Sequence, residues 1–161
     1  MDDAAEDDVA EQFVHATAIA VGDACALIRG GSGAGKSDLA LRCLTLGSSS
    51  VLPEPAHLVS DDQVLIRRHD GLLVAHPPVP IAGLLEVRGL GLARLPYVLG
   101  KMVRLVVDLA APEDIERLPP EPRHANLLGV EIPLVLIAPF EASAPQKTLL
   151  ALAAASGKLL F

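Results

Sequence analysis

The chain has 161 residues, of which 51% are hydrophobic, 20% charged and 2% aromatic, and its formal net charge is −7 at pH 7. These values suit one globular domain and exclude extensive disorder. Six acidic residues and no basic residue lie within the first 11 positions, so the remainder is nearly neutral, which argues against a nucleic-acid-binding protein with a basic face or an aromatic stacking platform.

The acidic N-terminal segment differs in composition from the rest of the chain. We predict that residues 1–13 form an acidic flexible tail, either solvated or docked to a partner, and that residues 14–161 form a single domain. The tail lacks the basic and apolar regions of a secretory signal, and no apolar run approaches the ~18 residues that span a membrane. The sequence therefore predicts a cytoplasmic protein without membrane contact. Because Cys25 and Cys43 lack disulfide or zinc-ligand spacing, we predict that both are core thiols.

Short apolar runs and one helical pattern occupy the first third of the chain. Residues 16–21 and 25–28 predict a β-hairpin, because the Gly-Asp pair between them favours a two-residue turn. Residues 37–46 carry apolar side chains at helical spacing and are followed by Gly47, a usual helix terminator. They predict the first helix, after which residues 48–55 form a loop that contains two prolines.

The remaining chain predicts mainly β-strands. Prolines and glycines make residues 76–99 turn-rich, with one short strand at 84–87. Residues 146–155 place leucines and alanines on one stripe and predict a closing amphipathic helix. The other predicted strands are at 58–59, 64–66, 72–74, 103–109 and 132–137.

The strongest local motif is GGSGAGKS, which satisfies G-x-x-x-x-G-K-[ST] between a predicted strand and a predicted helix. Its glycines let successive backbone N–H groups point at phosphate oxygens, and the positive end of the helix adds attraction for the anion. Its lysine is expected to reach the β and γ phosphates, and its last serine to ligate Mg²⁺. The predicted phosphate-binding residues are Gly30, Gly31, Ser32, Gly33, Ala34, Gly35, Lys36 and Ser37.

Other motifs built on glycine do not fit this segment. A dinucleotide-binding fingerprint needs glycine where Lys36 stands, and a nucleophile elbow needs glycine where Ala34 stands. The chain also has no Asn-Lys-x-Asp sequence, which argues against a GTPase.

Two segments are candidates for the acidic partner of the phosphate loop. Asp108 follows two valines at a strand end, and Asp61 and Asp62 follow the apolar pair at 58–59. We favour the second segment, because phosphoryl transfer to a hydroxyl needs one carboxylate at Mg²⁺ and one as a base, and adjacent carboxylates can divide these tasks.

The order of these segments resembles the catalytic domain of HPr kinase/phosphorylase. From residue 15 to about residue 155 the chain carries, in turn, a histidine, the phosphate loop, LVSDD at 58–62, LEVRGLG at 85–91 and LGVEIP at 128–133. The resemblance is to the short form found in some proteobacteria, which lacks the N-terminal domain of long members. It implies an α/β fold with a phosphoenolpyruvate carboxykinase-like P-loop core, a mixed β-sheet and flanking helices.

The resemblance also implies a reaction. ATP, or pyrophosphate in some members, would donate phosphate to a serine of the phosphocarrier protein HPr in the presence of Mg²⁺, and phosphorolysis would be the reverse reaction. Asp61 would be the general base, and the acid in reverse, while Asp62 would assist the metal or position the acceptor. Glu86 would ligate Mg²⁺ with Ser37. Arg88 would contact phosphate, and His15 would lie beside the acidic pair.

The sequence departs from the family pattern at two places. Gly31 stands where the family usually has an acidic residue, and residues 138–147 lack the arginine of the family's Pro-Gly-Arg-Asn loop, with Lys147 as the only basic side chain. A nucleotide-sensing module without transfer activity and a small-metabolite kinase therefore remain as alternatives.

The resemblance further implies assembly, because long family members form hexamers through this domain. We predict a homo-oligomer, with a hexamer favoured over a dimer. The turn-rich segment at 76–99 carries more apolar side chains than a solvated loop needs. These are Leu84, Leu90, Leu92, Leu95 and Val98.

Overall fold

The computed structural model describes residues 10–159. Single short turns of 3₁₀-helix occupy Val79–Ile81 and Pro112–Asp114. The other elements of this part of the chain are β1 (Glu11–His15), β2 (Thr17–Val21), β3 (Ala24–Arg29), α1 (Lys36–Leu44), β4 (His57–Ser60), β5 (Gln63–His69), β6 (Leu72–His76), β7 (Leu84–Val87), β8 (Gly91–Arg94), β9 (Lys101–Leu109), β10 (Arg123–Leu127), β11 (Val130–Ile137) and α2 (Ala144–Ala155).

Nine of the strands form one mixed sheet. Its main path runs β1-β5-β6-β9-β3-β2-β4, and β11 joins β9 while β10 pairs with β11. Strand β9 branches the sheet, because its residues 101–102 pair with β6 and its residues 106–109 pair with β11. The parallel strands β3, β9 and β11 lie at the centre, and β7 and β8 form a separate hairpin.

The central strand β3 is buried on both faces. Cys25 and Leu27 belong to one apolar cluster, with side chains of β5, β6 and β10. Ala26 and Ile28 belong to a second cluster, which includes residues of both helices. A strand covered on both faces reads as a continuous apolar run, which is the pattern of residues 24–28.

Most predicted elements are present. The hairpin of β2 and β3 turns at the Gly-Asp pair, where Gly22 has a φ of +57°. The two predicted helices and the strands at 58–59, 64–66, 72–74, 84–87, 103–109 and 132–137 all have counterparts with slightly different ends. The expectation of an α/β fold with a mixed sheet and flanking helices is confirmed.

The predicted N-terminal tail includes residues that belong to the sheet. Strand β1 begins at Glu11, and residues 11–13 pair with residues 65–67 of β5, so they belong to the sheet. Residues 1–9 of the predicted tail lie outside the described residues. The acidic composition of this segment obscured β1, a strand in which Val14 is the one buried residue.

Two further strands have no clear sequence signal. Strand β8 is exposed along nearly all of its four residues, and β10 buries only Ala125 and Leu127 between polar side chains. Neither carries the apolar run that predicts a strand. Neither of the helices within residues 10–159 has the length and hydropathy needed to cross a membrane.

Candidate functional site

The phosphate loop lies between the carboxyl end of β3 and the start of α1. Gly33 and Gly35 have φ values of +78° and +101°, so the loop uses left-handed backbone that favours glycine. The N–H of Leu39 donates to the Gly35 carbonyl at 2.9 Å, which closes the first helical turn directly after the loop. The predicted strand, loop and helix context of the motif is confirmed.

Lys36 is buried, and its side chain reaches back to the start of the phosphate loop. Its Nζ donates to the carbonyl oxygens of Gly30 and Gly31, both at 2.9 Å. These contacts hold the ammonium group at the loop, where a phosphate group would compete with the two carbonyls for it. The side chain is therefore placed for anion binding and is stabilised there by uncharged acceptors.

Asp61 connects three segments through one buried carboxylate, which is 6% exposed. Its Oδ1 accepts hydrogen bonds from Thr17 Oγ1 and Ser37 Oγ, both at 2.7 Å. Its Oδ2 accepts the backbone N–H of Glu86 at 2.9 Å. The carboxylate thus joins β2, the start of α1 and strand β7, and it is satisfied by protein donors.

Asp62 has a different environment from its neighbour. Its side chain is 76% exposed, and its Oδ1 lies 3.2 Å from His15 Nε2. The residue has a φ of +68°, a left-handed conformation that aspartate tolerates better than most residues. The tight turn after β4 therefore directs two consecutive carboxylates in different ways, one into the protein and one into solvent beside His15.

A cavity of about 500 Å³ lies between the phosphate loop and these acidic residues. A Cβ added to Gly33 would lie 3.9 Å from Arg88 Nη2, so the arginine reaches the loop from the β7–β8 hairpin. The structure therefore brings nine of the thirteen sequence-predicted site residues to one opening, whereas Gly30, Gly31, Ala34 and Asp61 are not part of its lining. The lining includes His15, Ser32, Gly33, Gly35, Lys36, Ser37, Asp62, Glu86, Arg88 and Phe140.

Asp108, the other acidic candidate, is engaged elsewhere. It accepts two hydrogen bonds from Arg29, at 2.7 Å from Nε and 2.9 Å from Nη2. The hydrogen bond to Asp108 raises the pKa of Arg29 above its ordinary value, against the opposing effect of partial burial. Asp108 is absent from the cavity lining, and its pairing fixes β9 against the end of β3 just before the phosphate loop.

The structure adds three residues that sequence reasoning missed. Thr17 is buried and donates to Asp61, and Phe140 packs against the phosphate loop, with its ring 3.1 Å from where a Cβ on Gly35 would lie. Arg42 donates to the carbonyl of Pro139 and to Asp38 Oδ2, the latter at 3.0 Å. The only sequence signal among these was the Asp38–Arg42 spacing of one helical turn.

The donor atoms around the cavity suit Mg²⁺. Ser37, Asp62 and Glu86 offer hydroxyl and carboxylate oxygens in the cavity lining, and this lining contains no thiol. Within residues 10–159 no group of three His, Cys, Asp or Glu side chains is arranged to hold a metal ion. Mg²⁺ is commonly held by one or two carboxylates together with substrate phosphates, so these residues fit it as part of a metal–nucleotide complex.

A phosphate loop between strand and helix, with carboxylates across one cavity, defines a P-loop α/β protein. A family model described as HPr Serine kinase C-terminal domain matches residues 7–159. The chain therefore belongs to this family, and the resemblance found in its sequence is confirmed.

Two relatives agree with this assignment. The chain is 33% identical over 132 residues to an HPr kinase/phosphorylase of Clostridium beijerinckii, covering 76% of this chain and 41% of the relative. It is 36% identical over 122 residues to one of Bordetella pertussis, covering 69% and 37%. The chain thus spans about two fifths of the length of these relatives.

The structural comparison supports the fold. The Hpr(Ser) kinase/phosphatase structure from Coxiella burnetii matches with a TM-score of 0.75 and 24% identity. The match covers 92% of this chain and 99% of that chain.

Proposed function

We propose that this chain is a Mg²⁺-dependent protein-serine kinase domain that transfers phosphate from ATP to a serine of an HPr-type phosphocarrier protein. The observation that carries the proposal is that the phosphate loop faces Asp62, Glu86 and Arg88 across the same cavity. Phosphoryl transfer requires positioning and charge stabilisation around the phosphate, and this arrangement supplies both. The cytoplasm, where ATP is made, is the location that the proposal requires.

In this proposal the loop backbone and two basic side chains bind the phosphates. Backbone N–H groups of residues 30–37 would bind the phosphates, and Lys36 would leave its two carbonyl acceptors to contact them. Arg88 approaches the loop at Gly33 and would bind the transferred phosphoryl group. A guanidinium at this position suits phosphate because its donors match two oxygens at once.

The metal-binding role would fall to Ser37 and Glu86, with Asp61 behind them. When bound, Mg²⁺ would neutralise charge on the phosphate oxygens. Asp61 orients the Ser37 hydroxyl by accepting its hydrogen bond at 2.7 Å. Its second oxygen orients the backbone of Glu86, so one buried carboxylate positions both residues that offer oxygen to the metal.

We assign the general-base role to Asp62 rather than to Asp61, to which the family resemblance assigned it. Asp61 is buried and accepts three protein hydrogen bonds, so it has little capacity left for an incoming serine hydroxyl. Asp62 lines the cavity, is exposed and has His15 beside it. A base needs access to the proton it removes, and Asp62 has this access.

The reverse reaction, phosphorolysis, rests on Arg88 in this proposal. Lys147 does not replace the arginine of the family's loop, because its Nζ is bound to Glu141 Oε2 at 2.5 Å and it is absent from the cavity lining. In that direction an oxygen of inorganic phosphate would attack the phosphorus of phosphoserine to form pyrophosphate, and Asp62 would donate its proton to the serine oxygen as the bond from phosphorus to that oxygen breaks.

The decisive experiment uses purified chain, an HPr-type protein and γ-labelled ATP with Mg²⁺. We expect label on serine, and transfer slower by about 10²–10⁴ when Asp62→Asn replaces the parent chain. ATP binding without any labelled protein, over varied Mg²⁺ and metabolite concentrations, would instead support a nucleotide-sensing module. ATP consumption with a small metabolite and no protein acceptor would support a metabolite kinase.

Assembly into a homo-oligomer, with a hexamer favoured, is part of the same proposal. Leu90 and Leu92 of the β7–β8 hairpin are 88% and 67% exposed. Leu84, Leu95 and Val98, which the sequence placed in the same apolar group, are partly buried within the chain. Of the five residues in that group, the exposed pair is therefore the part that a neighbouring subunit would cover.

A further inference from the structure

A second cavity of about 570 Å³ lies on the other side of Phe140 from the phosphate cavity. Phe140 lines both cavities, and Ala34 of the phosphate loop lines the second. The remaining walls are apolar apart from Glu141. They are formed by Leu109, Ala110, Ala111, Pro112, Ala138 and Pro139.

This cavity occupies a defined place in the sheet. It lies at the carboxyl ends of β9 and β11, which run parallel to β3 and flank it on one side. The acidic residues lie on the other side, where β2 and β4 pair. In sheets of this kind, ligands bind outside the carboxyl ends of the strands. The phosphate loop therefore separates an acidic region from an apolar one.

We propose that this apolar cavity binds the nucleoside base of the phosphate donor. The inference rests on the proposed function, because it assumes that the loop holds nucleotide phosphates. A bound triphosphate would place its reacting end toward Asp62 and the opposite end toward Ala34 and Phe140. The base is flat and largely apolar on its faces, which suits walls of alanine, proline and leucine.

Phe140 is the residue that determines whether the base adds to the affinity of the protein for the nucleotide. Its ring is 75% exposed, although its edge packs on Gly35, so one face is free to stack. The ring is held by the segment at 138–141, which Arg42 of α1 anchors through the carbonyls of Pro139 and Glu141. The helix that follows the phosphate loop thus also fixes the wall against which the base would lie.

The test compares two ligands that share phosphates and differ in the base. Calorimetry with Mg²⁺ would measure the affinity of the full chain for ATP and for inorganic tripolyphosphate. We expect the parent chain to bind ATP about tenfold more tightly, and Phe140→Ala to remove this advantage. Because Phe140 also packs on the phosphate loop, the readout for this variant is the ratio of the two affinities, which should fall to about one.

A charge-matched pair of variants provides an independent readout. Ala111→Glu places a carboxylate in the cavity wall, whereas Ala142→Glu adds the same charge at an exposed position outside the lining. We expect only Ala111→Glu to weaken ATP binding, by about tenfold, because base binding would desolvate the new carboxylate. Both variants should change the affinity for tripolyphosphate by the same factor.

The outcomes separate this inference from the proposed function. If Ala111→Glu and Ala142→Glu weaken ATP binding equally, or if the parent chain binds ATP no better than tripolyphosphate, the cavity does not hold the base. The loop would then bind phosphates alone, and the proposed kinase function would stand. If the parent chain binds neither ligand, both proposals fail.

Discussion

Ser37 and Asp61 are 24 residues apart in the chain and are joined by a hydrogen bond of 2.7 Å from Oγ to Oδ1. This contact fixes the first turn of α1 against the end of β4. The same carboxylate accepts the N–H of Glu86 from β7, so three separate segments meet at one buried group. Asp61 therefore determines the geometry of the candidate site, while the exposed Asp62 faces the cavity.

Asp62→Asn should suppress transfer and leave ATP affinity unchanged. An amide cannot accept the serine proton, and loss of a general base typically costs ~10²–10⁴ in rate. Asparagine tolerates the left-handed backbone at this position, where φ is +68°, so the fold should be preserved. Single-turnover transfer and calorimetric ATP binding test the two expectations. Transfer at the parental rate would return the base role to Asp61.

Asp61→Asn should act mainly on stability and on the site's geometry. The amide has no negative charge to attract the three hydrogen-bond donors around it. Its NH₂ group would also replace one of the two accepting oxygens and would point at a group that donates as well. We expect the free energy of unfolding to fall by about 1–3 kcal/mol, measured by urea denaturation. Asp108→Asn is the control on the other acidic segment. Its pair with Arg29 is partly exposed, so we expect a loss of at most about 1 kcal/mol and near-parental transfer.

Lys36→Ala should weaken binding of both ATP and tripolyphosphate. The ammonium group would make charge-assisted hydrogen bonds, each of which contributes about 1.5–3 kcal/mol, so we expect a tenfold to hundredfold loss of affinity. Lys147→Ala is the matched control, because that lysine is bound to Glu141 outside the cavity. An equal loss in the control would contradict the placement of the phosphate site.

The two cysteines should be unreactive in the folded protein. Burial raises the pKa of both Cys25 and Cys43 to about 12, so the reactive thiolate is nearly absent at pH 8. Ellman's reagent should find no fast-reacting thiol in the native chain and two after denaturation. Because the ordinary value of 9.0 applies in the unfolded chain, these thiols stabilise the fold below about pH 9 and lose this effect as the pH rises toward 12. A fast-reacting native thiol would show that one cysteine is accessible.

The exposed leucines of the β7–β8 hairpin should control assembly. We expect light scattering to give about six times the chain mass of 16.8 kDa, and the double variant Leu90→Ser with Leu92→Ser to give smaller species. Val51→Ser provides a control, because this exposed valine lies in a different loop. A parental mass equal to one chain, with full transfer activity, would overturn the proposed assembly.

The sequence alone was sufficient to predict the phosphate loop and the elements around it. Their signals are local: glycines that permit left-handed backbone, an apolar run for β3, and helical spacing after Lys36. It also predicted which acidic segment faces the loop, because adjacent carboxylates suit phosphoryl transfer. The exposed strands β8 and β10 were missed because they carry no apolar pattern of their own.

The different environments of the two acidic neighbours depend on tertiary structure. Asp61 and Asp62 are chemically identical neighbours, and only the packing of β2, α1 and β7 buries one and leaves the other beside His15. The cavity beyond Phe140 likewise depends on the parallel pairing of β9 with β3 and β11. Sequence patterns encode local conformation and the side of an element that is buried. The donors that surround a carboxylate come from distant segments, so their arrangement exists only once the sheet has formed.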